Sequence, residues 1–237
     1  MKILLLGGYG FIGSHVNKKL VDLGYDVHLA SRRNGVDLCS LESIESSLQN
    51  HKPDAIINCA AHVGSVNYVS EFSADVIFDN VQMSINLYKA VANKCPFALI
   101  INPLSNCSYS GESDFQKEDG WLVGDVHHSV FSYGNSKRII YLISKCFNDQ
   151  YGIQSSNFIV PNTFGPGDSL DPNKTHALNG MIVRMINAKR SSEKKFEIWG
   201  TGKPIREWTY VDDVVNILIE GLNKKEDYLY PINLAQN

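Results

Sequence analysis

Apolar and polar positions along the chain fall into blocks with two different periods. Residues 2–6 form a short continuous apolar run closed by Gly7-Gly8. A run of that length bounded by glycine predicts a strand buried on both faces. From residue 11 to 23 the apolar side chains recur at helical spacing and stop at Gly24, which predicts a helix with a glycine C-cap. The alternation continues with strands expected over 25–30, 54–59, 97–102 and 154–160. Helices are expected over 41–49, 69–93 and 130–151.

After Pro161 the texture changes. Residues 162–173 are rich in Pro, Gly, Asp and Asn and predict a loop. A helix over 176–188, a strand over 195–199, a helix over 211–222 and a strand over 230–234 follow from the later pattern. Strand–helix alternation from the first residue argues for an α/β fold, a doubly wound parallel sheet of the Rossmann kind with a small, shortened C-terminal lobe. The expected division is a dinucleotide-binding domain over 1–161 and substrate-binding elements over 162–237, with segments returning to the sheet.

Composition narrows the classes. The 237 residues are 43% hydrophobic and 20% charged, enough for one sizeable core. A formal net charge of -3 supplies no basic field for a polyphosphate backbone, so nucleic acid is not an expected partner. The five cysteines, Cys39, Cys59, Cys95, Cys107 and Cys146, show no CxxC pair and no zinc spacing. No metal is expected, and the odd, scattered count suits a reducing, cytoplasmic compartment. The N-terminal apolar run meets its glycines too early for a signal sequence or a membrane span.

The chemistry begins at Gly7-Gly8-Tyr9-Gly10-Phe11-Ile12-Gly13, a GxxGxxG loop between a strand and a helix. Missing β-carbons let backbone approach a pyrophosphate, and the helix start at Phe11 and Ile12 offers free N–H groups. By itself such a loop is also a plain tight turn. The second strand runs out into Ala30-Ser31-Arg32-Arg33, where an NAD site would carry a carboxylate. Two guanidiniums suit a 2′-phosphate, hence NADP(H); their alternative is a solvated surface. Asp37-Leu38 falls where an adenine contact would form.

Ser132-Tyr133-Gly134-Asn135-Ser136-Lys137 puts Tyr133 and Lys137 at i and i+4, on one face near a helix start. A phenol of pKa near 10 is a poor base at neutral pH, and an adjacent ammonium stabilises its anion. In isolation the pattern equally describes two surface helix residues.

Taken with Asn58-Cys59-Ala60-Ala61 after the third strand and Ser105 four residues before Tyr109, these motifs resemble the extended short-chain dehydrogenase/reductase family over essentially the whole chain. The resemblance implies a Ser105–Tyr133–Lys137 triad, with Ala60, Ala61, Tyr133, Lys137 and Pro161 against the cofactor. Within that family the runs at 60–64, 105–109, 164–168, 172–176 and 199–207 are most similar to the GDP-L-fucose synthases, NADPH-dependent 3,5-epimerase/4-reductases of a GDP-4-keto-6-deoxy-hexose. That narrower likeness implies Cys107 as base and His176 as acid in epimerisation. It places Asn162, Arg184, Trp199 and Arg206 against a nucleotide sugar, and it implies a homodimer joined through the two long helices. Cysteine as a core hydrophobe and histidine as a helix cap are the plain alternatives. Asn106 stands where that group usually has a second serine, and the lobe beyond 234 is expected to be short. The other activities considered are a 4-reductase or 4-epimerase of the same family, and a catalytically silent NADP sensor or scaffold.

Overall fold

The computed structural model describes residues 1–112, 115–171, 174–198, 201–203, 205–222 and 229–234. Its centre is a six-stranded sheet in the order β2-β1-β3-β4-β5-β8, with every neighbouring pair parallel. The strands are β1 (Lys2–Leu6), β2 (Asp26–Ala30), β3 (Ala55–Asn58), β4 (Leu99–Ser105), β5 (Ser155–Val160) and β8 (Ile232–Asn233). The helices are α1 (Phe11–Asp22), α2 (Leu41–His51), α3 (Val66–Glu71), α4 (Ser73–Lys94), α5 (Phe131–Tyr151), α6 (Ala177–Arg190) and α7 (Val211–Glu220).

The pleat explains the continuous apolar run of β1. Ile3 and Leu5 point to one face, where they join Val16 and Leu20 of α1 and Val214 and Leu218 of α7. Leu4 and Leu6 point to the other and join Ile44 and Leu48 of α2 and Leu87 and Val91 of α4. Both faces are therefore covered, as parallel sheets require. The strand order reverses between β1 and β3, and ligands of open α/β sheets bind outside the carboxyl ends at such a switch point.

Three expectations need correction. The helix expected over 69–93 is two helices, separated at Phe72. Ser132 Oγ donates to the Val69 carbonyl at 3.0 Å, the acceptor that an unbroken helix would give to Ser73. Residues 162–173 are not all loop: β6 (Asn162–Phe164) pairs in parallel with β7 (Trp208–Tyr210), a strand whose partner lies too far along the chain for local pattern to reveal. Residues 195–198 of the expected strand 195–199 are not in a strand, and Trp199 lies outside the described residues.

Candidate active site

The glycine loop turns where the pattern placed it. Gly7 has φ +70°, and a β-carbon there would lie 2.7 Å from the Ala60 nitrogen, so the first and third strand ends approach backbone to backbone. A β-carbon on Gly13 would strike the Gly7 carbonyl, which fixes the helix hard against the loop. Gly10 caps α1 without a side chain, and the helix start leaves the N–H groups of Phe11, Ile12 and Gly13 for an outside acceptor. The cradle therefore fits a pyrophosphate.

Beside it, the turn Arg32–Asn34 is locked by a capping box. Ser31 Oγ accepts from Arg33 N at 3.2 Å while Asn34 Oδ1 accepts from Ser31 N at 2.8 Å. The lock sets the Arg33 guanidinium 5.3 Å from the Tyr9 ring centroid, above the glycine loop, with Arg32 exposed next to it. Asp37 turns its carboxylate onto Cys39 N at 3.0 Å, and Leu38 is buried. Ala60 and Ala61 run along the opposite wall. His62, inside the run at 60–64, is held by residues for which no role was expected: Asn80 bonds both its N–H (3.0 Å) and its carbonyl (2.8 Å). The His62 ring in turn bridges Asp79 (2.7 Å) and Tyr68 (2.9 Å). The available signal was a pair of polar residues, Asn80 and Ser84, at helical spacing between the apolar Val76 and Leu87 of α4.

Ser105 ends β4 and starts a tight turn, its Oγ accepting from Cys107 N at 3.2 Å. Lys137, one turn along α5 from Tyr133, donates to the Pro103 carbonyl at 3.2 Å. Gly134 sits between them and makes the cluster possible. A β-carbon there would collide with the Cys107 carbonyl and stand 2.5 Å from Val126 Cγ1. The loop that follows hangs on Arg138, which donates to the carbonyls of Ser108 (2.7 Å), Gly124 (2.8 Å) and Trp121 (3.1 Å). Neither Gly134 nor Arg138 carried a sequence signal beyond lying inside the Tyr133–Lys137 helix.

Electrostatics departs from expectation at the phenol. Lys137 was expected to bring Tyr133 down; in the protein alone burial pushes Tyr133 up, with Cys107 adding to the rise. Burial also lowers Lys137 from 10.5 to about 8, against the opposing pull of Cys59 and Cys107. The desolvation of the whole pocket outweighs the pairing within it. The same burial raises the Cys107 thiol, while its hydrogen bond with Ser105 and the cations of Arg206 and Lys137 pull it back.

The remaining expected residues form a second group. Pro161 is buried after β5, and Asn162 Nδ2 donates to the Glu207 carbonyl at 3.1 Å across β6 and β7. His176 stands at the N-cap of α6, 3.3 Å from Asp168 Oδ1 and with its ring 6.5 Å from Phe11 on the cofactor-side helix. Arg184 lies over Phe196 at 5.5 Å, and Arg206 is exposed. Thus Ser105, Cys107, Tyr133 and Lys137 come together, with Arg206 near enough to act on Cys107. His176 makes its contacts on the glycine-loop side. Among the described residues no group of three or more His, Cys, Asp or Glu side chains is arranged to hold a metal ion.

A doubly wound sheet with a glycine cradle at its switch point and a Tyr–Lys pair across from it defines a dinucleotide-binding α/β protein. The chain belongs to the NAD dependent epimerase/dehydratase family, whose sequence profile matches residues 3–233. It is 27% identical over 228 residues to a GDP-L-fucose synthase of Dictyostelium discoideum, covering 95% of this chain and 71% of that protein. A GDP-L-colitose synthase of Yersinia pseudotuberculosis is likewise 27% identical, over 94% of this chain and 72% of its own. The crystal structure of a GDP-L-fucose synthetase from Naegleria fowleri bound to NADP superposes with a TM-score of 0.88 at 23% identity, covering 100% of this chain and 77% of that one.

Proposed function

We propose that the chain is an NADPH-dependent sugar-nucleotide 3,5-epimerase/4-reductase acting on a GDP-4-keto-6-deoxy-hexose. The observation that carries this reading is the convergence of Ser105, Cys107, Tyr133 and Lys137 at the carboxyl end of β4, opposite the glycine cradle. The two named relatives are GDP-sugar synthases, which supports the substrate class. Arg32 and Arg33 beside the cradle favour NADP(H) over NAD(H).

NADPH, when bound, supplies the hydride. Ser105 Oγ and the Tyr133 hydroxyl hold the sugar carbonyl oxygen, and Tyr133 hands it a proton as the alcohol forms. Lys137 supplies positive charge beneath the phenol and steadies its anion. Epimerisation beside the ketone needs a base on one face and an acid on the other; Cys107 takes the first role and His176 the second. On the family likeness, Arg184 and Arg206 contact the nucleotide diphosphate, Asn162 orients the sugar or nucleotide, and Trp199 covers the base.

The test is NADPH oxidation with GDP-4-keto-6-deoxy-mannose, run beside UDP- and dTDP-linked 4-keto sugars. Preferred turnover of the GDP sugar is expected. NADPH binding without turnover of any of them returns the chain to a sensor or scaffold. The raised Cys107 thiol favours one second reading, a 4-reductase that does not epimerise. Solvent deuterium entering the sugar ring separates the two: wild type is expected to exchange and Cys107→Ser is not. Phe78, Ile85 and Leu142 are exposed on α4 and α5, which supports a homodimer through these helices, measured by sedimentation. No helix among the described residues is long and apolar enough to cross a membrane.

A further inference from the structure

Both ring nitrogens of one histidine on α1 are committed. His15 Nδ1 lies 2.8 Å from Asp212 Oδ1 at the start of α7, and Nε2 lies 2.8 Å from the Pro166 carbonyl after β6. A carboxylate and a carbonyl only accept hydrogen bonds. The ring therefore bridges an acceptor on α7 and an acceptor on the loop after β6. We infer that His15 is a latch, a positioning residue that pins the loop carrying Asp168 and His176 to the helix that opens on the cofactor cradle.

The connections on either side support this. Pro166 is flanked by Gly165 (φ +156°) and Gly167 (φ +87°), a glycine turn whose central carbonyl is the one that His15 meets. Two residues on, Asp168 Oδ1 accepts from Ser169 N at 2.8 Å and meets His176 Nδ1 at 3.3 Å. The His15 ring packs edge-on against Phe11 at 5.9 Å, and Phe11 faces His176 at 6.5 Å. One imidazole thus fixes both the backbone that places Asp168 and the ring against which His176 rests.

The inference rests on the proposed function only in taking this loop as the substrate side, and its first test needs no substrate. In cofactor-free protein His15→Gln is expected to speed hydrogen exchange at the amides of residues 167–171 about tenfold or more while the amides of β1 and β3 exchange as in wild type. Loop amides that exchange alike with and without His15 overturn the latch. The second test is kinetic. His15→Gln is expected to cut kcat about tenfold or more with NADPH affinity within about twofold. Equal losses in NADPH binding and kcat would make His15 a mere prop for the helix and sink the positioning role. If no 4-keto sugar is turned over, the proposed function fails while the loop-exchange result still decides the latch.

Discussion

The Lys137 ammonium lies 5.4 Å from the centroid of the Tyr133 ring and donates to the Pro103 carbonyl, so in the protein alone the cation is buried against ring and backbone. This is an expensive way to keep a charge. Its expense has a sign that can be measured.

The folded pKa of Lys137 is lowered from 10.5 to about 8. Below about 8 both the folded and unfolded chains carry the charge, and the burial cost is fully present. Between about 8 and 10.5 the folded protein has released the proton and the unfolded chain has not, so the cost fades as pH rises. At neutral pH the displacement corresponds to roughly 3 kcal/mol, part of which the Pro103 bond offsets. Lys137→Met is therefore expected to melt several degrees higher than wild type in cofactor-free protein at neutral pH, with the gap closing towards pH 10.5. The same variant is expected to lose turnover. Calorimetry across pH checks the first outcome, and a wild type that melts higher at neutral pH contradicts it.

Gly134→Ala drives a methyl into the Cys107 carbonyl and Val126. The expected cost is about 1–3 kcal/mol from overpacking. Because the displaced turn carries Ser105 and Cys107, kcat should fall by more than the small unfolded fraction explains. Urea melts paired with active-site titration separate the two losses.

Arg138→Met removes the donor for three carbonyls in the segment between Ser108 and Gly124. Unpaired acceptors cost roughly 1–3 kcal/mol each where water cannot reach them. Trp121, fully buried and bonded through its indole N–H to Ser108 at 2.7 Å, reports on the same segment. Its fluorescence is expected to shift to the red and to unfold at lower urea. An unchanged emission would show that the loop holds without the guanidinium.

Replacing Arg32 and Arg33 together by Ala should weaken NADPH binding by about 10-fold to 100-fold and leave NADH within about twofold, since charged hydrogen bonds contribute roughly 1.5–3 kcal/mol. Calorimetric titration with both dinucleotides measures it. Equal weakening of both would move the 2′-phosphate contact elsewhere.

The tight turn at Gly7, the apolar runs of β1 and β3, and the Tyr133–Lys137 spacing were all legible in the chain, because each is a local pattern: a required positive φ, a short continuous apolar run or the helical period. Less legible were features set by partners distant in sequence. The β6–β7 pair joins residues 162–164 to 208–210, and neither segment alone has the length or alternation to declare a strand. At the break, the Val69 carbonyl is taken by Ser132, a serine 63 positions later in the chain.

What the sequence determined by itself is the layered α/β fold and the chemical types gathered at the ends of its strands. Burial is what the tertiary structure decided. It raised Tyr133 where a neighbouring lysine alone would have lowered it, because desolvation of a packed pocket acts on every ionisable group inside it and no local spacing reports it. It also joined His15 to Asp212 and Pro166, across 197 and 151 positions, giving one ring two acceptors that only folding brings together.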